Sequence, residues 1–375
     1  MHHTWIEISR SALFHNITHL ATLLSPAKLA AVVKGNAYGH GFLEVSTLLA
    51  EHPGVAWLCV GGVEEGVMLR AAGITKPILT LAYPPENYHD VLNNNLEVTV
   101  WNEHIVRELN QAAHNLHITA HVHVKVDTGM TRLGILPEEL VPFLVMLQGK
   151  YKHIMVTGIL THLSDKDNPD NLFVRQQLHL FDKLMQDVKD ADFSIPIVHA
   201  LSSGSLDYAS EKKYTLARAG TNMYGFWSSP ESRERACQKY SAMQLKPVLT
   251  WKTKIIHIKK IAAGSSVGYG RTFIAPHPMT IAVLPVGYCD GYSRALSNKG
   301  RVMVHNKIAP VIGIVSMNLT IIDVTHIDHV TLGDTVTLLG AEQAISADTI
   351  AHQLGTINIE VTTKINPTIK RIIVD

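Results

Sequence analysis

A lysine closing an apolar run offers this chain its most reactive group. Leu29-Ala30-Ala31-Val32-Val33 reads as a buried strand, Lys34 ends it, and Gly35, Gly39 and Gly41 follow within seven residues. An ammonium group is costly to bury unless it has a partner. A desolvated lysine gives up its proton more easily and becomes a nucleophilic amine. That is the group a carbonyl cofactor such as pyridoxal phosphate requires for a Schiff base. The spacing alone also admits a structural lysine that reaches solvent at a strand end.

Other chemistry-bearing residues close similar runs. Lys125-Val126-Asp127 ends in a turn carrying Arg132, His162 follows 154–161, and Arg218 lies in the run after Thr215. On residue types alone, Arg132 pairs with Asp127. His121 and His123 alternate along one strand face with Lys125 next in line. A two-histidine metal site would need a third ligand, and that face supplies neither carboxylate nor cysteine, so no metal is expected.

The elements that must position these residues repeat regularly. Apolar strand-like runs fall at 29–33, 55–60, 77–82, 97–101, 120–127, 154–162, 196–200 and 215–225. Most are near-continuously apolar, as strands covered on both faces should be. Helical patterns lie between them. Leu13, Ile17, Leu20 and Leu24 share one face, as do Val174, Leu178, Phe181, Leu184 and Val188. Strands alternating with helices over this length predict a (β/α)8 TIM barrel, in which function gathers at the C-terminal strand ends. An open doubly wound sheet would have fewer strands and a Gly-rich turn after the first.

After about residue 235 the texture changes. Short strands are expected at 248–260, 279–286, 301–305, 309–315, 319–324 and 334–339, with one helix near 346–354. The expected organisation is a barrel over residues 9–235 and a mostly β C-terminal domain over 236–375, which the strand within residues 1–8 joins.

Composition narrows the function classes. The 375 residues carry a net charge of +1 with scattered basic side chains, which excludes a nucleic-acid footprint. Cys59, Cys237 and Cys289 are far apart and form no C-x-x-C pair, which suits a reducing compartment rather than a disulfide framework. No run approaches a membrane span. A cytoplasmic protein without membrane or nucleic-acid partners is expected.

The segment Val32-Val33-Lys34-Gly35-Asn36-Ala37-Tyr38-Gly39-His40-Gly41 resembles the cofactor-lysine signature of the alanine racemases, with Gly35 where alanine is usual. The resemblance implies that Lys34 carries pyridoxal phosphate and Tyr38 binds its phosphate. Further motifs follow in family order. Lys125-Val126-Asp127-Thr128-Gly129-Met130-Thr131-Arg132-Leu133-Gly134 implies Arg132 on the substrate carboxylate and Lys125 as a carbamylated lysine orienting it. Thr161-His162-Leu163 implies a histidine stacked on the cofactor ring. His199-Ala200-Leu201-Ser202-Ser203 implies Ser203 on the phosphate, with Ser202 where asparagine is usual. Ala217-Arg218-Ala219-Gly220-Thr221 implies backbone N–H groups of Gly220 and Thr221 on the phosphate and Arg218 facing the ring nitrogen. Decarboxylases of the same fold place a glutamate at that position; an arginine cannot accept the ring proton, which favours racemisation.

In the second domain, Ser266-Val267-Gly268-Tyr269-Gly270-Arg271-Thr272-Phe273 implies Tyr269 as the second acid/base beside Lys34. A phenol ordinarily titrates near about pH 10 and needs nearby cations to act as a base near neutrality. The resemblance supplies a chain of Arg218, His162 and Tyr269. Tyr288, in Leu284-Pro285-Val286-Gly287-Tyr288, falls in an entrance segment, and Val315-Ser316-Met317-Asn318 implies Met317 on the substrate carboxylate. Tyr269 and Met317 would serve the partner's cofactor in a homodimer with shared active sites. Asn318 replaces a usual aspartate, and Ile359 in Asn358-Ile359-Glu360 replaces a usual tyrosine. The expected function is interconversion of L- and D-alanine, supplying D-alanine for peptidoglycan. The alternatives are a racemase for serine or larger amino acids, and a catalytically weak cofactor-binding homologue.

Overall fold

A computed structural model describes residues 3–165, 168, 172–209, 211, 214–240 and 243–375. Strand β1 (Thr4–Ser9) leads into the helix Arg10–Leu24, whose start is capped by Ser9 Oγ accepting from the Ala12 N–H at 3.1 Å. Leu13, Ile17, Leu20 and Leu24 form its buried face. The helix Leu172–Asp190 buries Val174, Leu178, Phe181, Leu184 and Val188 in the same way. Both faces follow the spacing read from the sequence.

Among the described residues, eight parallel strands form the barrel: β2 (Lys28–Val32), β3 (Val55–Val60), β4 (Ile78–Thr80), β5 (Glu97–Val100), β6 (Ala120–Lys125), β7 (Ile154–Leu160), β8 (Ile197–His199) and β9 (Leu216–Ala219). Neighbours pair in chain order, and β9 returns to pair with β2. Between β8 and β9 the ladder thins to the Ser202–Arg218 bridge and the bonds Arg218 N–H to Leu201 O and Thr215 N–H to Val198 O, both 3.0 Å. The barrel is therefore nearly closed. The eighth strand is shorter than its apolar run suggests, because Gly220 turns the chain into a 3₁₀ segment at Thr221–Tyr224.

The interior of the barrel is divided. One half is apolar, with Ala30, Val32, Trp57, Cys59, Leu79 and Leu216 in one buried cluster. The other carries buried His123, Lys125, His199 and Arg218.

Among the described residues the second domain carries three sheets, of six, three and two strands. In the largest, β1 lies between β10 (Leu249–Lys254) and the closing strand Arg371–Val374, so the first described strand pairs with the last. The run expected as one strand at 248–260 is two: β10 in this sheet and β11 (His257–Ile261) in a three-stranded one. The chain changes sheet at Ile255, an apolar residue that leaves no break in the hydropathy pattern. A helix, Pro230–Lys239, runs across residue 235.

Candidate active site

The barrel strands end at one mouth, and Lys34 sits at the end of β2. The next four residues, Gly35, Asn36, Ala37 and Tyr38, all have positive φ, between 50° and 63°. This left-handed turn is uncommon for residues bearing a Cβ. It is tied down by Glu65, whose carboxylate accepts the Gly35 N–H at 3.0 Å and the Gly61 N–H at 2.6 Å. Sequence reasoning did not single out Glu65. Lys34 opens to solvent within the mouth, yet the surrounding protein and the nearby Arg132 charge lower its pKa below the usual lysine value. Both effects favour a neutral amine.

Tyr38 folds back beneath the mouth. Its ring lies 5.1 Å from that of Tyr224, whose hydroxyl donates to Val32 O at 3.0 Å. Burial raises its pKa to about 12, so the hydroxyl stays a donor. Gly220, just beyond β9, comes against it, and Ser203, just beyond β8, lies against Gly220. Ser203 Oγ accepts from the Gly220 N–H at 2.9 Å and the Asn222 N–H at 3.4 Å. Thr221 is buried beside them. A Cβ on Gly220 would fall 2.5 Å from the Tyr38 hydroxyl, so glycine leaves room that any other residue would fill. Hydroxyls and N–H groups converge here, which is the donor set a phosphate accepts from. The residues present therefore fit the phosphate of pyridoxal phosphate.

Arg218 crosses the interior at the level of the mouth and is almost fully buried. Its guanidinium donates to Thr161 O at 2.8 Å, to His199 Nδ1 at 2.7 Å and to His162 Nδ1 at 3.2 Å. Burial lowers its pKa to about 10, which still leaves it charged at neutral pH. His162 is thus hydrogen-bonded to the arginine.

Lys125, the last residue of β6, is buried. Desolvation, then Arg218 and Arg132, lower its pKa to about 7. A neutral amine in contact with dissolved carbon dioxide is the form that carbamylates. The Arg132–Asp127 ion pair suggested by residue types is not among the pairs the described residues make. Asp127 instead closes its own turn, accepting the Gly129 and Met130 N–H groups at 2.9 and 2.8 Å. Burial acts to raise that carboxyl, but these backbone bonds outweigh it and hold its pKa below the usual value. Arg132 stands exposed at the rim.

The second-domain candidates form a separate group. Tyr288 N–H donates to Ser316 O and Cys289 N–H to Met317 O, each at 3.1 Å, so the expected entrance segment is stitched to the Met317 turn. Asn318 Nδ2 donates to Cys289 Sγ at 2.9 Å. Tyr269 is 71% exposed and Met317 56%, with Tyr288, Leu319 and Ile274 also exposed. One chain leaves these side chains to solvent.

A barrel mouth with a lysine, an adjoining cluster of hydroxyl and N–H donors and a buried arginine, followed by a β domain, defines a class of lysine-dependent barrel enzymes. Comparison with known proteins narrows it. The family model for the alanine racemase N-terminal domain matches residues 8–227, and that for the C-terminal domain matches 248–373. The chain is 36% identical over 371 residues to an alanine racemase of Clostridium perfringens, covering 98% of this chain and 94% of that protein. It superposes on the alanine racemase of Clostridium difficile 630 with a TM-score of 0.92 and 33% identity, covering 100% and 96% of the two chains. An alanine racemase from Bartonella henselae with covalently bound pyridoxal phosphate matches with a TM-score of 0.85 at 25% identity, over the full length of both. The chain belongs to the alanine racemase family.

Proposed function

We propose that this chain is a pyridoxal-phosphate-dependent racemase interconverting L- and D-alanine. The observation that carries the reading is Arg218, buried at the mouth with its guanidinium fixed by His199, His162 and Thr161. Lys34 is the covalent attachment point. Tyr38, Ser203 and the backbone N–H groups of Gly220 and Thr221 hold the phosphate, and His162 packs on the ring. When bound, the cofactor supplies a conjugated ring that takes up the electron pair left at the substrate Cα. Arg218 presents donors to the ring nitrogen and no acceptor, so electron withdrawal stays modest and prompt return of the proton is favoured over decarboxylation.

Arg132 and the Met317 N–H bind the substrate carboxylate, the first as a planar fork. A carbamate on Lys125 would place an anion beside Arg132 and orient it. Inversion at Cα requires one group to remove the proton and another to return one to the other face. Lys34 serves the D-substrate and Tyr269 the L-substrate. The exposure of Tyr269, Met317, Tyr288 and Leu319 supports their donation to a second copy of the chain, in a homodimer with shared sites. No described helix is long and apolar enough to cross a membrane. With alanine as substrate, the product would feed D-alanine to peptidoglycan.

A wider substrate range is favoured by one observation. Ile359 lies in the helix Asn358–Thr363, which brings Thr362 and Thr363 against Gly39 and Gly35 beside Lys34, and an isoleucine there offers no hydroxyl. Solvent deuterium exchange at Cα across a panel of L-amino acids tests both readings. Exchange with inversion of alanine supports racemisation, and faster inversion of serine or larger residues supports the wider range. Carbon dioxide release, or colour without exchange, would overturn both.

A further inference from the structure

The polar half of the barrel interior contains a line of hydrogen bonds running away from the mouth. Arg218 donates to His199 Nδ1 at 2.7 Å. His199 Nε2 lies 2.9 Å from His123 Nδ1, and His123 Nε2 lies 3.0 Å from Glu97 Oε2. Thr157 Oγ1 donates to the same Glu97 oxygen at 2.6 Å. Both histidines are fully buried, whereas the Glu97 side chain is 17% exposed. Glu97 is the first residue of β5, so it lies at the end of the barrel opposite the strand ends that form the mouth.

The direction of this line is fixed by chemistry. A guanidinium only donates, so His199 Nδ1 must accept, and its one proton is on Nε2. That proton points at His123 Nδ1, which must therefore accept in turn. The His123 proton is then also on Nε2 and points at the carboxylate. Both rings are neutral and share one tautomer. No proton can travel back along the line to Arg218, because the arginine has no lone pair to receive it. The line is a lock on orientation and not a proton path. The fold makes room for it: a Cβ on Gly158 would fall 2.4 Å from His123 Nδ1. Burial and then the Arg218 charge hold the pKa of His199 well below the usual histidine value. Burial acts to raise the Glu97 carboxyl, but its bonds from His123 and Thr157 outweigh this and keep it ionised.

We infer that Glu97, remote from the mouth, is a positioning residue for the racemase: it fixes the tautomers of His123 and His199 and, through them, the acceptor that aims Arg218 at the cofactor. The inference rests on the proposed function for its catalytic consequence, but its structural half stands alone. Removing the carboxylate leaves the His123 N–H without an acceptor inside the barrel, and a buried unpaired donor is relieved only by rearrangement. The rearrangement reaches Arg218 in two steps.

Neutron diffraction from deuterated holoenzyme crystals tests the lock directly. Deuterium is expected on Nε2 of both His123 and His199 and absent from both Nδ1 atoms; deuterium on either Nδ1 would overturn it. Glu97→Leu and Glu97→Gln test the consequence. In Glu97→Leu, turnover should fall about tenfold in both directions with KM unchanged, below the roughly 100-fold that a full 1 Å misplacement of a catalytic group can cost. The absorption band of the bound cofactor should shift as well, a change that a purely structural defect would not produce. Glu97→Gln keeps an acceptor oxygen and should recover most of both. Wild-type turnover and spectrum in folded Glu97→Leu would overturn the proposal. If Glu97→Leu does not fold, Glu97→Gln indistinguishable from Glu97→Ala in turnover and spectrum would do so. Absence of Cα exchange in the wild-type holoenzyme would instead remove the racemase reading, leaving the neutron result to judge the lock.

Discussion

The Tyr38 hydroxyl occupies the space into which a Cβ on Gly220 would project, 2.5 Å away. Tyr38 cannot retreat easily, because its ring lies against Tyr224. Gly220→Ala should therefore displace the hydroxyl from the phosphate cradle and strain the end of β9. The expected outcome is at least a tenfold loss of pyridoxal phosphate affinity, with about 1–3 kcal/mol of destabilisation from overpacking. Absorbance titration of the apoprotein with the cofactor, alongside thermal melting, measures the two separately. Unchanged affinity would remove Tyr38 and Gly220 from the cradle.

Lys125 gives a pH dependence whose sign is fixed by its folded pKa of about 7, below the ordinary lysine value of 10.5. Between those values the unfolded chain holds a proton that the folded chain lacks, so stability rises with pH across that window. Below about pH 7 both states are protonated and the folded state bears the full cost of the buried charge. In buffer depleted of carbon dioxide, Lys125→Met should therefore be more stable than wild type, most of all below pH 7. The wild-type disadvantage should shrink as pH rises towards 10. Melting temperatures of the two proteins between pH 6 and 10 check this, and parallel curves would contradict it.

Gly35 has a φ of 63° and begins the left-handed turn after Lys34. An added Cβ would meet only Thr363 Cγ2, at an ordinary 3.7 Å, so space is not the obstacle. The cost of Gly35→Ala is then conformational, about 1 kcal/mol. Denaturant unfolding should show that loss with turnover nearly intact. A loss several times larger would mean that the turn is held more rigidly than its contacts indicate.

The residues at the mouth were legible because each interrupts or ends an apolar run. Lys34, Lys125, His162 and Arg218 stand where continuous hydropathy meets a charged or aromatic polar group, and a barrel gathers such ends at one face. The line from Arg218 to Glu97 was less legible. Its bonds join residues 19, 76 and 26 positions apart, so no local spacing encodes them. The alternation of His121, His123 and Lys125 was the available signal. It marks a polar stripe inside a barrel, and weighing it only as a metal site left its hydrogen-bonding role unread. Asp127 was misread for a related reason. Two opposite charges close in sequence suggest an ion pair, but a turn with several unpaired N–H groups competes for the same carboxylate. The change of sheet at Ile255 is invisible in hydropathy, since Ile255 and Ile256 carry the apolar residues of one strand straight into Ile258 of the next.

The sharing of sites between two chains can be decided by complementation. Lys34→Ala alone should lose both colour and turnover. Tyr269→Phe alone should keep the colour and lose most L-to-D conversion. If Lys34 of one chain works with Tyr269 of the other, a dimer mixed from the two variants contains one intact site and one lacking both groups. Random reassortment makes about half the dimers mixed, so about a quarter of the wild-type activity should reappear on unfolding and refolding the variants together. Mixing without exchange of subunits should restore nothing. If both groups came from the same chain, the refolded mixture would show no recovery beyond the sum of its parts. Sedimentation of the mixture at the assay concentration confirms that dimers are present. Full activity in Tyr269→Phe by itself would refute the two-base scheme whichever chain supplies the phenol.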